Sequence, residues 1–147
     1  MYDRISYVRQ YYCRPDRTPG MAASAGVVDR LERRLMSLGV YVERHAREST
    51  DDGETLHVEY ETAAGDLTSG DVGNVCTELV AAHEDGWEPR DCHFWAFAVD
   101  GAGKFLGDWA VREGWFEALD RGDLSETDFS TLVLSTRRRP EDPPLSE

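Results

Sequence analysis

The chain has 147 residues, of which 40% are hydrophobic and 10% aromatic, which supports one folded domain and excludes a disordered chain. There are 29 acidic residues against 16 basic ones, so the formal net charge is −13. Because sequence-independent nucleic-acid binding depends on basic side chains that neutralise phosphates, this balance argues against such binding by the body of the chain.

Residues 1–26 are predicted to form an N-terminal arm ahead of the folded domain. Within it, residues 1–20 carry four arginines against two aspartates, whereas the rest of the chain is strongly acidic. Apolar spacing predicts a short helix over 1–12, which the prolines and glycines that follow cannot continue. A basic, aromatic segment of this kind can dock on the acidic body, on a neighbouring subunit or on another partner. The residues predicted to dock are Arg4, Tyr7, Arg9, Tyr11, Tyr12 and Arg14.

The folded domain is predicted to begin with a helix over 27–38, where apolar residues recur at helical spacing and Gly39 can end the helix. A β-hairpin is predicted next, with strands over 40–46 and 56–61, because apolar and polar residues alternate in both. The polar residues 48–55 form its predicted loop. One face of the hairpin is predicted to carry Val40, Val42, Ala46, Leu56, Val58 and Tyr60.

The second half of the chain begins with a helix predicted over 71–85. Residues 92–99 are apolar on both faces, a pattern typical of a central strand that is covered on both sides. A turn at 100–103 leads into a short strand near 104–106.

Two helices are predicted to complete the domain. One covers 109–121, and the other begins at Ser125, with Asp128 as its capping-box partner. Residues 137–147, which include three prolines, are predicted to be a disordered tail.

This order, α-β-β-α-β-(β)-α-α, predicts a single α+β domain over 27–136. Its sheet is expected to be small, three- to four-stranded and mainly antiparallel, and packed by the helices. A right-handed crossover through helix 71–85 would place strand 92–99 parallel to the second strand. In the simplest arrangement strand 92–99 lies beside the first strand, which gives the sheet order 2-1-3.

The acidic excess indicates a protein adapted to a salt-rich cytoplasm. Like charges destabilise the folded state at low ionic strength, and salt screens them: the Debye length falls from about 10 Å at 0.1 M to about 3 Å at 1 M. Lys104 is the only lysine among the 16 basic residues. A GC-rich genome also favours arginine over lysine, so we expect a halophilic source, with a GC-rich mesophile as the alternative.

Cysteine usage and hydropathy predict a cytoplasmic location. No run of 18 apolar residues is present, and the first residues lack the apolar core of a secretory signal. Cys13, Cys76 and Cys92 form no Cys-x-x-Cys pair, so we expect free thiols in a reducing compartment. The protein is therefore not expected to enter a membrane.

No pattern in the sequence predicts a catalytic residue, a metal site or a cofactor. His45 and His57 fall on the polar side of paired strands, where surface positions are expected, and no histidine or cysteine has a zinc-site spacing. Cys76 and Cys92 lie in apolar surroundings, which raise the pKa of a thiol and make it unreactive.

Eight aromatic residues are concentrated between positions 87 and 116. Strand 92–99 places Phe94 on one face and Trp95 on the other, so both faces need a cover. Core packing under helix 109–121, an interface with another subunit and a ligand cleft lined by tryptophan are the three interpretations. The candidate interface or ligand residues are Trp95, Phe97, Trp109, Trp115 and Phe116.

The C-terminal half carries a recognisable pattern: Gly107-Asp108-Trp109, then Gly122-Asp123-Leu124-Ser125, then a last helix that ends near Thr136. This pattern resembles one in small uncharacterised proteins of halophilic archaea, and the resemblance covers about 27–136. The matching residues are structural, so the resemblance implies no activity and no cofactor.

Three functions remain open. The first is a non-enzymatic cytoplasmic interaction or regulatory module, homodimeric or bound to another protein, which uses the aromatic sheet face or the arm. The second is a small-molecule-binding protein or enzyme with a tryptophan-lined cleft. The third is a nucleic-acid-associated regulator that acts through the arm, although high salt would weaken such contacts.

Overall fold

In the computed structural model, the described residues are 21–50, 53–99 and 104–140. Their elements follow the order α-β-β-α-β-β-α-α, which confirms the predicted α+β class. The helices are α1 (Met21–Leu35, followed by a 3-10 turn, Met36–Leu38), α2 (Ser69–Glu84), α3 (Glu113–Arg121) and α4 (Glu126–Leu134). The strands are β1 (Val40–Thr50), β2 (Gly53–Thr62), β3 (Asp91–Ala98) and β4 (Phe105–Val111). The predicted helix over 1–12, the six docking residues of the arm and the predicted turn at 100–103 lie outside the described residues.

The strands form one mixed sheet in the order β1-β2-β3-β4. The β1–β2 and β3–β4 pairs are antiparallel, and the β2–β3 pair is parallel. The predicted parallel relation of β3 to the second strand is therefore right, but the predicted order 2-1-3 is wrong. The apolar strand β3 takes a central place between β2 and β4, while β1, which carries Glu43, Arg44, Arg47 and Glu48, takes an edge, where charged side chains are tolerated.

Element boundaries differ from the prediction at two helices. Trp109 and Val111 continue β4, where they pair with Phe94 and Cys92, so the helix predicted from 109 begins only at Glu113. The pairing of these residues with the central strand β3 outweighs the helical spacing that they also fit. Helix α1 begins at Met21 rather than at 27, because the alanine-rich residues before Gly26 favour a helix strongly enough to offset that glycine.

The hairpin strands are longer than predicted. β1 extends to Thr50 and β2 begins at Gly53. Most of the predicted loop over 48–55 is therefore strand.

The hydrophobic core lies between one face of the sheet and the four described helices. Phe94 and Trp109 stack at 4.3 Å between ring centres, and the indole N–H of Trp109 donates a hydrogen bond of 2.9 Å to the hydroxyl of Tyr60. The helices contribute Val27, Leu31, Leu35, Val72, Val75, Leu79, Phe116, Phe129 and Val133.

Residues 137–140 lie next to β4, where the sequence predicts a disordered tail. Arg138 and Asp108 exchange two backbone hydrogen bonds of 2.9 Å each. The approach depends on Gly107, because a Cβ there would collide with the carbonyl of Arg138. The segment therefore forms a short bridge at the outer edge of the sheet.

Candidate functional site

The sheet face that points away from the helices carries an unusual set of polar and aromatic side chains. In β2 and β3 these residues alternate with residues of the helix-side core, as the two-residue period of a strand requires. In β4, Phe105 and Asp108 are three residues apart and share the face because the register with β3 shifts between Ala96 and Phe97. We call this surface the aromatic–histidine face. Its members are His57 and Glu59 of β2, His93, Trp95 and Phe97 of β3, and Phe105 and Asp108 of β4.

A β-bulge decides which residues of β1 join this face. The register shifts between Val42 and Arg44, so that Arg44 lies opposite Glu59 and Ala46 lies opposite His57. The predicted grouping of Ala46 with the apolar face of the hairpin is wrong, because the bulge inserts one residue and reverses the alternation that follows. His45 and His57, predicted on one face, lie on opposite faces for the same reason.

Aromatic rings form a continuous row across the face. The rings of His57 and His93 stack with their centres 5.7 Å apart, and those of His93 and Trp95 stack at 4.4 Å and are 11° from parallel. Phe105 extends the row, at 6.3 Å from Trp95 and 5.3 Å from Phe97. Trp95 and Phe97 are only 2% and 6% exposed.

His57 is held as a neutral imidazole in one tautomer. The indole N–H of Trp95 can only donate, so Nδ1 of His57 accepts this bond, at 3.3 Å. Nε2 therefore carries the proton and donates to Glu48 Oε1 at 2.9 Å. Burial lowers the pKa of His57 despite the opposing effect of Glu48. The prediction that His57 is a surface residue is wrong, since its exposure is 3%.

A second polar group joins β3, β4 and the C-terminal segment. Nε2 of His93 lies 2.6 Å from Oδ2 of the buried Asp108, and the guanidinium of Arg138 donates to the same oxygen at 3.1 Å. An Asp–His pair also occurs in catalytic triads, where the aspartate orients the imidazole. Here the ring of His93 lies flat against Trp95 and His57, so the pair orients a ring within the aromatic row.

The structure separates the five predicted interface or ligand residues. Trp95 and Phe97 lie on the aromatic–histidine face, whereas Trp109 and Phe116 are buried in the helix-side core and Trp115 packs against that core. Helix α3 does not cover the second face of β3, as one interpretation required, because Phe116 packs on the rings of His83, Trp87 and Phe129.

Sequence reasoning missed His93, Asp108 and Arg138 as members of one group. The two-residue period places His93 on the same side of β3 as Trp95, which the sequence alone could have indicated. The pairing with Asp108 and Arg138 depends on strand register, for which the sequence holds no local signal.

The two cysteines among the described residues are buried free thiols. Burial raises the pKa of Cys76 to about 12 and also raises the pKa of Cys92. Within the described ranges, no three histidine, cysteine or acidic side chains are grouped as metal ligands. Among the helices of the same ranges, none has the length and apolar character needed to cross a bilayer.

Together these features define a small α+β domain with helices on one face of a mixed four-stranded sheet and a buried polar–aromatic surface on the other. Residues 21–143 match the family described as "Domain of unknown function (DUF8159)", and the chain belongs to that family. The match agrees with the resemblance to an uncharacterised family, and it begins where α1 begins. Comparisons with curated proteins and with solved structures found no match.

Proposed function

We propose that this protein is a non-enzymatic interaction module, and that the ligand of its aromatic–histidine face is the basic segment 1–20. That segment would come from the same chain or, in a homodimer, from a second copy. The observation that carries the proposal is the burial of Trp95 and Phe97 on a face over which none of the described helices packs.

The burial of these two rings requires a cover. Aromatic side chains bury roughly 150–250 Å² each, so a bare row of rings would place a large apolar area in water. In one chain, however, Trp95 and Phe97 are 2% and 6% exposed. Since the described helices all lie on the opposite face, covering these rings needs a further segment that is long enough to cross the sheet.

Length and charge favour residues 1–20 among the segments outside the described ranges. Residues 100–103 are too few to cross four strands, which lie about 4.8 Å apart. Residues 141–147 carry three acidic side chains and no basic one. The face carries Glu59 and Asp108, with Glu48 at its margin, and two arginines, Arg44 and Arg138, pair with the first two of these carboxylates. Three carboxylates against two arginines suit the basic residues 1–20 better than an acidic segment.

Trypsin cleavage of the full-length chain tests this proposal. Mass spectrometry measures the rate of cleavage after Arg4, Arg9 and Arg17. This rate should be at least about tenfold slower in the full-length chain than in a synthetic peptide of residues 1–20. A tenfold protection corresponds to a bound state favoured by about 1.4 kcal/mol, and cleavage follows the population of the unbound state.

A pair of variants locates the contact. Phe97→Asp places a charge in the aromatic row and should remove most of the protection, whereas Leu38→Asp, at an exposed site in the 3-10 turn, should preserve it. Circular dichroism is used to check that both variants are folded. Protection that falls on dilution indicates a homodimer, and protection independent of concentration indicates binding within one chain. If wild-type residues 1–20 are cleaved as fast as the free peptide, the proposal is wrong.

A further inference from the structure

A cleft between α1 and the loop that follows α2 reverses the charge balance of the chain. The cleft has a volume of about 550 Å³ and is lined by Arg30, Arg33, Arg34 and Arg90, together with Trp87. Among the described residues, two carboxylates line it, those of Asp85 and Glu88. Over the whole chain the acidic residues outnumber the basic ones by 29 to 16, so a lining with four arginines and two carboxylates is more positive than the chain as a whole.

Two of the lining arginines have guanidinium groups available to a ligand. Arg34 is exposed, and no carboxylate among the described residues lies within ion-pair distance of it. Arg33 pairs at 3.2 Å with Asp29 one helical turn earlier, but both side chains are more than 60% exposed. Exposed pairs of this kind contribute little to stability, so an anion of higher charge could displace Asp29.

The other two arginines give the cleft a fixed frame. Arg30 is held by Asp85 at 2.8 Å and by Glu78 at 3.5 Å. Arg90 is mostly buried and pairs with Glu54, which also pairs with Arg47. One carboxylate thus serves two mostly buried guanidinium groups. Among the described residues, the Nε atom of Arg90 and the Nε and Nη1 atoms of Arg47 have no hydrogen-bond acceptor. Among these three side chains, one positive charge therefore remains unbalanced.

Trp87 supplies an aromatic wall. Its ring packs edge to face against Phe116, with the ring centres 5.6 Å apart and the planes at 89°. This contact with the core fixes the orientation of the indole, while the side chain remains half-buried at the cleft. Binding sites for small molecules commonly have volumes of about 300–1,000 Å³ and combine apolar or aromatic walls with a few polar groups.

From these observations we infer that the cleft binds a small organic phosphate, a phosphomonoester with an aromatic or other flat group. The planar guanidinium fork matches the geometry of phosphate oxygens and remains charged at every physiological pH. Arg33 and Arg34 contact the phosphate, Arg90 supplies positive potential from below, and Trp87 packs against the flat group. This site is distinct from the aromatic–histidine face, which lies on the other side of the sheet.

Calorimetric titration of the full-length protein with phenyl phosphate, inorganic phosphate and phenol tests this inference. Phenyl phosphate should bind with a Kd in the micromolar to millimolar range and more tightly than inorganic phosphate, because only the former reaches Trp87. Phenol should bind at least tenfold more weakly than phenyl phosphate, because it has no anionic group. Potassium chloride is held constant throughout, since ionic strength alone changes such affinities.

Matched variants separate the cleft from general electrostatics. The double variant Arg33→Gln/Arg34→Gln should weaken phenyl phosphate binding at least tenfold, and both positions are exposed, so folding is preserved. The control variant Arg121→Gln also removes an exposed arginine, the last residue of α3, which pairs with Asp123. It should leave the Kd for phenyl phosphate within twofold of wild type. The inference is overturned if wild type does not bind phenyl phosphate at 10 mM, or if Arg121→Gln weakens binding as much as the double variant does.

Discussion

Gly107 occupies a position on β4 where a Cβ atom would collide with the segment beside it. Its φ of +140° is rarely adopted by residues with side chains, and the carbonyl of Arg138 and the side chain of Leu67 fill the space around it. This close approach allows Arg138 to pair with the backbone of Asp108 and to reach its carboxylate. One glycine thus links the C-terminal segment to the polar group that holds His93.

The replacement Gly107→Ala should therefore lower the free energy of unfolding by about 1–3 kcal/mol, the usual cost of overpacking. The matched control is Gly73→Ala in α2, where a Cβ meets nothing within 4 Å. Because alanine favours a helix over glycine, this change should raise the free energy of unfolding by about 0.5–1 kcal/mol. Urea denaturation measures both, and equal values for the two variants would contradict the close packing of residues 137–140 on β4.

Two histidines link neighbouring elements of the fold, and their pKa values are shifted in opposite directions. His57 of β2 is buried and neutral, and connects β1 to β3 through Glu48 and Trp95. His83 of α2 bonds the carboxylate of Asp120 in α3 at 2.8 Å and the backbone carbonyl of Trp87 at 3.2 Å. Both partners of His83 are acceptors, so a protonated ring, with two N–H donors, satisfies them both. The bond to Asp120 raises the pKa of His83, whereas burial lowers that of His57.

These shifts predict opposite contributions to pH-dependent stability. The lowered pKa of His57 means that the unfolded chain binds its proton more readily, so the stability from His57 is complete above about pH 6.5 and is lost as the pH falls. The raised pKa of His83 stabilises the fold below about pH 6.5, and this contribution is lost as the pH rises through the folded pKa. We therefore expect His57→Gln to reduce the loss of stability in acid and His83→Gln to reduce the loss towards pH 8.

Urea denaturation of each variant at pH 5, 6.5 and 8 measures these differences. One proton contributes at most about 1.4 kcal/mol per pH unit to the slope for His57. Parallel pH profiles for wild type and both variants would show that neither histidine titrates differently in the folded and unfolded chains.

The elements that the sequence predicts well are those set by local chemistry. Ser125 and Asp128 form the predicted capping box, with both reciprocal bonds present, and the apolar run of β3 is a central strand. Elsewhere, pairing between distant residues outweighs the local apolar spacing. The spacing around Trp109 fits a helix, but Trp109 belongs to β4 because it pairs with Phe94. The β-bulge near Arg44 and the backbone bridge to Arg138 likewise depend on strand register. The residues next to them in the sequence do not determine that register. The same limit applies to the candidate site, of which the sequence indicates Trp95 and Phe97 but not their polar partners.

The formal net charge of −13 is expected to oppose folding at low salt. Several carboxylates are paired within the described residues, such as Glu54 with two arginines and Asp108 with Arg138. Others, including Glu32, Glu84 and Glu117, are exposed and have no ion pair there. Repulsion among such unpaired charges is the part of the electrostatic energy that dissolved salt can screen.

The prediction of a halophilic protein can therefore be tested by thermal unfolding in 0.1 M and 2 M KCl. The Debye length falls from about 10 Å to below about 3 Å over this range, so repulsion between exposed carboxylates is largely removed and the Tm should rise. Salt also strengthens apolar burial to some degree, and a charge variant separates the two effects. The triple variant Glu32→Gln/Glu84→Gln/Glu117→Gln removes three of the 13 excess negative charges without breaking an ion pair among the described residues. It should melt at a higher temperature than wild type in 0.1 M KCl and gain less from added salt. If wild type has the same Tm at both salt concentrations, self-repulsion does not limit its stability and the acidic surface needs another explanation.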